Sequence, residues 1–479
     1  MFKLFSWLSL VLSIVLWMIS ALLNNNTLLF CSFHIMWISN LLYTMASLQR
    51  RFIFGVFNLT FFLFVMGRMT ISFIFYKDFG LDYRFDIISK VFSIIMLALV
   101  SIRIFYSLFE KRYVVKRSIK RKTTDNYFDV SLLQKACIYL YWITFIFSVI
   151  YVLERVLYVQ ATSYTSYYTS FKTSLPSMFA KFYTMNEIFF FIYLATNPRK
   201  KGFLVLGLSF LAIGALSLGY GQRNPIALRF CILVLTYIPL RELFRKQNEE
   251  KWVTKKYRFW LLVSVPLAII FFTFWGSFRV ADNQNFSFSI GEAFLSFFDS
   301  QGNSARILAE TVLNINSFPE NRIYTLGPIV EFLQNNIFYK ALFGSATYYD
   351  GFTVEGAIEG WNFADVISYL YSPFHYLNGV GLGSTYLAET FEDFGYTGII
   401  VISAIYMAII SYIVKNYKKN YFISGIVLIL IYDIIYAPRD SALSFMGRIF
   451  SITFLTSIVC VYLTYKYLES RRIKVGVSK

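Results

Sequence analysis

Apolar stretches of about 20 residues recur along this 479-residue chain, and each is long enough to cross the hydrocarbon of a bilayer as a helix. Backbone placed in lipid must satisfy its own N–H and C=O groups, so the pattern predicts an all-α polytopic membrane protein. The spans fall at roughly residues 4–23, 28–48, 52–76, 87–109, 136–159, 182–196, 202–219, 225–240, 258–275, 396–414, 421–436 and 448–466, about twelve in all. With 57% hydrophobic and 15% charged residues, the chain has too little polar surface for a water-soluble fold of this size. The first span has no small-residue cleavage site before Asn24-Asn25-Asn26, so it reads as a retained helix rather than a signal peptide.

A formal net charge of +18 points to nucleic acid in a soluble protein, but here the distribution of charge matters more than its sum. The segments around Arg50-Arg51, Lys111 to Lys122, Arg199 to Lys201, Arg241 to Arg258, Lys415 to Lys419 and Lys466 to Lys479 fall on one side. With Lys3 and Lys135, that side holds 29 of the 45 basic residues and 7 of the 27 acidic ones. The positive-inside rule places it, with both termini, in the cytoplasm, and no nucleic-acid partner is expected. Membrane lipid is the expected surroundings.

Several chemistries are absent. Cys31, Cys137, Cys231 and Cys460 lie in or beside spans without paired spacing, His34 and His375 are the only histidines, and no Walker-type loop is present. No metal site and no cofactor are expected.

The chain divides into residues 1–275 with nine spans, a large outer loop at 276–395, and 396–479 with three spans and a cytoplasmic tail. A connection of that length generally does more than connect. Helical stretches at Ile290 to Phe298, Ser304 to Leu313 and Ile329 to Phe338 predict a folded loop, broken by turns at Pro319, Gly327-Pro328, Gly351 and Pro373.

Charged groups at the outer helix ends are the candidate site residues. Arg223, in GYGQRNP, precedes Asn224 and Pro225, which read as the N-cap and first residue of the next helix; its unpaired N–H groups make an anion site, and snorkelling to a lipid headgroup is the plain alternative. Arg439 in APRDS has a similar setting, with Asp440 as a simple ion-pair partner. Arg279 follows the ninth span. Arg306 has Glu310 one helical turn on, and Arg322 follows Glu320 in a turn, so each has a structural alternative to anion binding. In GLGSTYLAETFEDFGYTGII, a single helix would put Glu389, Glu392, Asp393 and Tyr396 on one face, and carboxyls that crowd one another are candidates for a general base. His375 in SPFHYLNG is a further proton carrier or an ordinary packed histidine. The ionisable residues noted within spans are Arg68 and Glu154-Arg155.

GYGQRNP, GLGSTYLAETFEDFGYTGII and the twelve-span plan with a late outer loop resemble the Wzy-type polymerases of O-antigen, capsular and exopolysaccharide repeat units. The resemblance implies a metal-independent membrane glycosyltransferase of the GT-C class in the bacterial cytoplasmic membrane. It would transfer a growing glycan from undecaprenyl diphosphate to an incoming undecaprenyl-diphosphate-linked oligosaccharide at the outer face. It further implies outer arginines on the diphosphates, here Arg223 and Arg279 with Arg439, a base drawn from Glu389, Asp393 or His375, and a chain-length regulator as protein partner. Arg306 and Arg322 are further diphosphate candidates. A glycan ligase using a similar donor is the nearest alternative. A transporter of polysaccharide or lipid-linked oligosaccharide is another, against which stand the missing internal repeat and the outer position of the charges.

The topology predicts that cysteine labelling from outside reaches residues 276–395, while 111–122 and 241–258 react only from the cytoplasmic side. Labelling of the large loop from the cytoplasm would contradict the orientation.

Overall fold

A computed structural model of the chain describes residues 1–114, 129–245, 249–278, 290–334, 349–417 and 420–477. Among them every regular element is helical, and nine helices are long and apolar enough to cross a membrane. The stretches expected to span at 182–196, 225–240 and 448–466 are helical too but fall outside that nine. Each carries or adjoins charge: Lys181 and Glu187 in the first, Arg229 in the second, and Arg448 and Lys466 at the ends of the third.

The first two helices show how the sequence directs packing. Asn24 adopts the left-handed conformation that ends Phe2–Leu23, and the Asn25 side chain accepts from the N–H groups of Thr27 and Leu28 to start Asn26–Met45. Asparagine suits both tasks, and the Asn-Asn-Asn run makes a tight helical hairpin. Helix–helix contact in lipid relies on small residues that let backbones approach. Ser6, Ser13 and Ser20 are the buried residues of the first helix. Ser13 meets Met36 at 3.3 Å, and Ser39 donates to the Ser6 carbonyl at 2.7 Å.

Chain contacts divide the protein into two compact units. The first comprises residues 1–116, 251–412 and 434–444, and holds all described residues of the long 276–395 connection. Within it the Leu48–Tyr76 helix contains a π-helical turn at Phe62–Met66, followed by Gly67 and Arg68. Such bulges displace the helix that follows them and frequently occur at functional positions. Gly67 faces Phe298, whose ring would lie 2.8 Å from an added Cβ, so the loop helix Ile290–Gln301 can seat against this stretch. The loop helices expected from sequence are present as Ile290–Gln301, Ser304–Leu313 and Gly327–Gln334, with residues 335–338 outside the described set. Phe318, Tyr324 and Phe363 pack ring on ring to form an aromatic core for the loop.

The second unit comprises residues 117–250, 413–433 and 445–479. Helices Val130–Ala161, Met178–Ala195, Lys200–Leu216 and Ile452–Val477 belong to it, together with a helical run over 224–243 that turns π-helical at Cys231–Tyr237. Its charged interior is closed. Glu187 accepts from Arg229 at 2.7 Å and from Arg448 at 3.1 Å, and Arg448 also pairs with Asp433 at 3.0 Å. Arg229 is 1% exposed and donates as well to the Phe210 carbonyl and the Tyr183 hydroxyl. Two guanidinium groups thus balance two carboxylates, which is the condition under which buried charge is tolerated.

Removing one member of such a network strands its partner at a typical cost of about 3–5 kcal/mol. Arg229→Met should therefore lower the thermal midpoint of the detergent-solubilised protein well below that of wild type, as read by loss of the monodisperse chromatographic peak on heating. An unchanged midpoint would show that the network is not an anchor.

Candidate functional site

The first unit has a charged corner of a different kind. Gly302 and Asn303 link the loop helices Ile290–Gln301 and Ser304–Leu313. A Cβ at Gly302 would stand 2.6 Å from both the backbone nitrogen and the Cβ of Arg68, so only glycine allows the loop to lie on this helix. Three further contacts fix the corner. Arg439 donates to the carbonyls of Ser300 and Gln301, Ser304 donates to the Pro438 carbonyl at 2.8 Å, and the Asn303 amide donates to the Leu382 carbonyl at 3.3 Å.

Arg68, Arg306 and Arg439 surround this corner. The contacts of Arg68 run through Nε, which donates to the Gly80 carbonyl at 3.2 Å and pairs with Asp299 at 3.1 Å. Arg306 is half-buried and close enough to Arg68 for the two charges to repel. Among the described residues it makes no hydrogen bond and no ion pair; its guanidinium stands 5.7 Å from the centre of the Tyr371 ring. The expected pairing with Glu310 does not form. Glu310 instead accepts from the Tyr83 hydroxyl at 2.5 Å and from the Asn314 amide at 3.2 Å. A half-buried guanidinium beside a like charge, with its donors unused, is a cost that an anionic ligand would remove. The network in the second unit has no such excess and invites no anion.

The other residues singled out from sequence are held as follows. Arg322 pairs with Glu359 at 3.3 Å and donates to the Gly360 carbonyl, rather than turning to Glu320. Arg439 bonds to main chain rather than to Asp440, which accepts from the Ser441 N–H at 2.8 Å. Arg223 lies in the second unit and itself occupies the N-cap position, so the helix begins at Asn224, one residue earlier than the sequence indicated. Arg279 lies outside the described residues.

Glu389 is fully buried, with one oxygen accepting from the Ser384 hydroxyl at 2.6 Å and the other from the Ala442 N–H at 2.7 Å. Both oxygens of Asp393 accept backbone N–H groups, Tyr324 at 2.8 Å and Thr325 at 2.6 Å. The single helical face expected for Glu389, Glu392, Asp393 and Tyr396 is interrupted, because Gly395 takes a left-handed φ of 58° and breaks the Tyr386–Asn416 helix just before Tyr396. His375 is exposed, with Nδ1 2.7 Å from the Ser372 hydroxyl.

Against known proteins, the family model for O-antigen polysaccharide polymerase Wzy matches residues 4–472, nearly the whole chain. The chain belongs to the Wzy family of O-antigen polymerases. No curated protein and no solved structure matches it. Membership makes it a multi-pass membrane polymerase of the glycosyltransferase type, acting on lipid-linked oligosaccharide repeat units.

For a Wzy-family chain, the sequence reading gave Arg306 and Arg439 but assigned no role to Arg68 or Tyr83. Arg68 was visible as a charge within an apolar stretch, a signal for function in membrane proteins. The same signal marks Arg103, Glu187, Arg229 and Asp433. Tyr83 carries no such mark, since its contact with Glu310 joins residues far apart in the chain.

Proposed function

We propose that the protein joins undecaprenyl-diphosphate-linked oligosaccharide repeat units at the outer face of the bacterial cytoplasmic membrane, with Arg306 and Arg68 holding the diphosphate of the donor. The observation that carries this reading is Arg306, a half-buried guanidinium without a protein acceptor among the described residues, set beside a second guanidinium. Planar guanidinium groups present several donors to phosphate oxygens. As the bond from the sugar C1 to the diphosphate oxygen breaks, negative charge grows on the leaving group, and fixed cations placed for that charge lower the barrier without a metal ion. Arg439 contributes indirectly: it fixes the main chain of Ser300 and Gln301, next to which Asp299 reaches Arg68. Arg223 is a candidate for a second diphosphate, since both substrates of the reaction carry one. A GT-C-like arrangement and contact with a chain-length regulator belong to this same reading.

Glu389 and Asp393 spend both oxygens on structural contacts, so within the set named from sequence His375 retains the more accessible titratable atom. All three stay open to test by substitution.

The experiment is complementation of a strain lacking its own polymerase with wild type, Arg306→Lys and Arg306→Ala at matched membrane abundance. The expected glycan ladders are full, weak and absent, with Arg306→Ala slowed by about 10²-fold or more. A normal ladder from Arg306→Ala would remove this corner from the reaction.

A further inference from the structure

Glycosyl transfer needs one group beyond those that hold the diphosphate. The hydroxyl of the acceptor sugar must lose its proton as its oxygen bonds to C1 of the donor, and something must receive that proton. The charged corner contains a tyrosine–carboxylate pair that the diphosphate reading leaves unused.

Tyr83 lies in the connection between the Leu48–Tyr76 and Phe85–Val114 helices, and its hydroxyl donates to Oε1 of Glu310 at 2.5 Å. That separation belongs to the short, charge-assisted class of O–H···O contacts. Glu310 is 5% exposed and has its other oxygen set by the Asn314 amide, so the carboxylate has one orientation. Tyr83 is half-buried, and Arg306 and Tyr371 lie close enough to influence its charge. Burial and the Glu310 carboxylate push the Tyr83 phenol well above its ordinary value. Tyr83 therefore holds its own proton at rest and gives it up only as another arrives. A phenol in that state, backed by a carboxylate and standing beside the guanidinium groups that take the leaving group, is arranged to pass a proton along.

We propose that Tyr83 and Glu310 form the proton relay of the transfer reaction, with the Tyr83 oxygen receiving the proton of the acceptor hydroxyl while its own proton passes to Oε1 of Glu310. The inference rests on the polymerase reading and on the diphosphate lying at Arg306. In the step, the acceptor oxygen forms a bond to C1 of the donor sugar, and the bond from C1 to the diphosphate oxygen breaks. The diphosphate departs with the electron pair, facing Arg306 and Arg68. One proton leaves the acceptor and one arrives at Glu310, from which it returns to water outside the membrane before the next cycle. Tyr83 is the group that meets the substrate. Glu310 acts through it and is the positioning residue.

The test uses purified full-length protein in nanodiscs, lipid-linked repeat units as substrate, and the variants Tyr83→Phe, Glu310→Gln and Arg306→Ala. Tyr83→Phe keeps the ring and removes only the hydroxyl, so it stays informative if Glu310→Gln fails to fold. Tyr83→Phe and folded Glu310→Gln should each lose about 10²- to 10⁴-fold in kcat with KM for the repeat unit unchanged. A loss of packing would instead change KM or the yield of folded protein. Arg306→Ala should raise KM as well as lower kcat. Wild-type kcat in Tyr83→Phe, on a wild-type chain that does polymerise, overturns the relay and leaves the polymerase reading intact. If the wild-type chain itself makes no polymer from these units, the reading beneath the relay fails.

Discussion

The seating of Gly302 on the main chain of Arg68 is the contact on which the loop side of the first unit depends. The Leu48–Tyr76 helix, the 276–395 loop and the turn before the last helices meet at this point, through Gly302 on Arg68, the Ser300 and Gln301 carbonyls on Arg439, and Ser304 on Pro438. The π-helical turn at Phe62–Met66 and Gly67, immediately before Arg68, shape the helix to receive the loop. Residues from four separate stretches of chain thereby reach one place: Arg68, Tyr83, Arg306 with Glu310, and Arg439. Any side chain at position 302 would lift the loop and separate them.

The charged groups around Glu187 and those around Arg68 differ in how far charge is balanced, and the contrast supports the proposed site. In the second unit Glu187, Asp433, Arg229 and Arg448 pair with one another in a low-dielectric interior, two cations against two carboxylates, an arrangement that ties helices together with no excess of either charge. In the first unit, Arg68 shares one carboxylate, Arg306 has none among the described residues, and the carboxylate one turn along the same helix faces a tyrosine instead. That imbalance is unfavourable in the protein alone and is relieved by an anion. A polymerase acting on lipid-linked diphosphates supplies one.

Much of this was legible in the sequence, for reasons that differ by element. Apolar run length and the Lys/Arg distribution dictate a helical membrane protein, and the Asn-Asn-Asn hairpin and the Ser304–Leu313 helix follow from local rules that the folded chain obeys. Spans that bury charge were less plain, because Glu187, Arg229 and Asp433 count against an apolar helix until their partners are known. The contacts of the acidic helix are hidden for a similar reason. Spacing puts Glu389 and Asp393 near each other but gives no sign that Ser384, Ala442, Tyr324 and Thr325 would take their oxygens, or that Gly395 would turn the chain before Tyr396. The arginines show the converse: Arg306 looked paired with Glu310 at helical spacing, and tertiary contact with Tyr83 took that partner away.

The central claim is that the Arg68–Arg306 corner binds a lipid diphosphate through its uncompensated guanidinium charge. Its most direct measure is equilibrium binding of undecaprenyl diphosphate to the protein in nanodiscs, comparing wild type with Arg306→Ala and with Lys200→Ala, an exposed cation of the second unit. The account predicts Arg306→Ala weakened by about tenfold or more, the worth of a single charge-assisted contact, with Lys200→Ala close to wild type. Equal affinity for wild type and Arg306→Ala would contradict it.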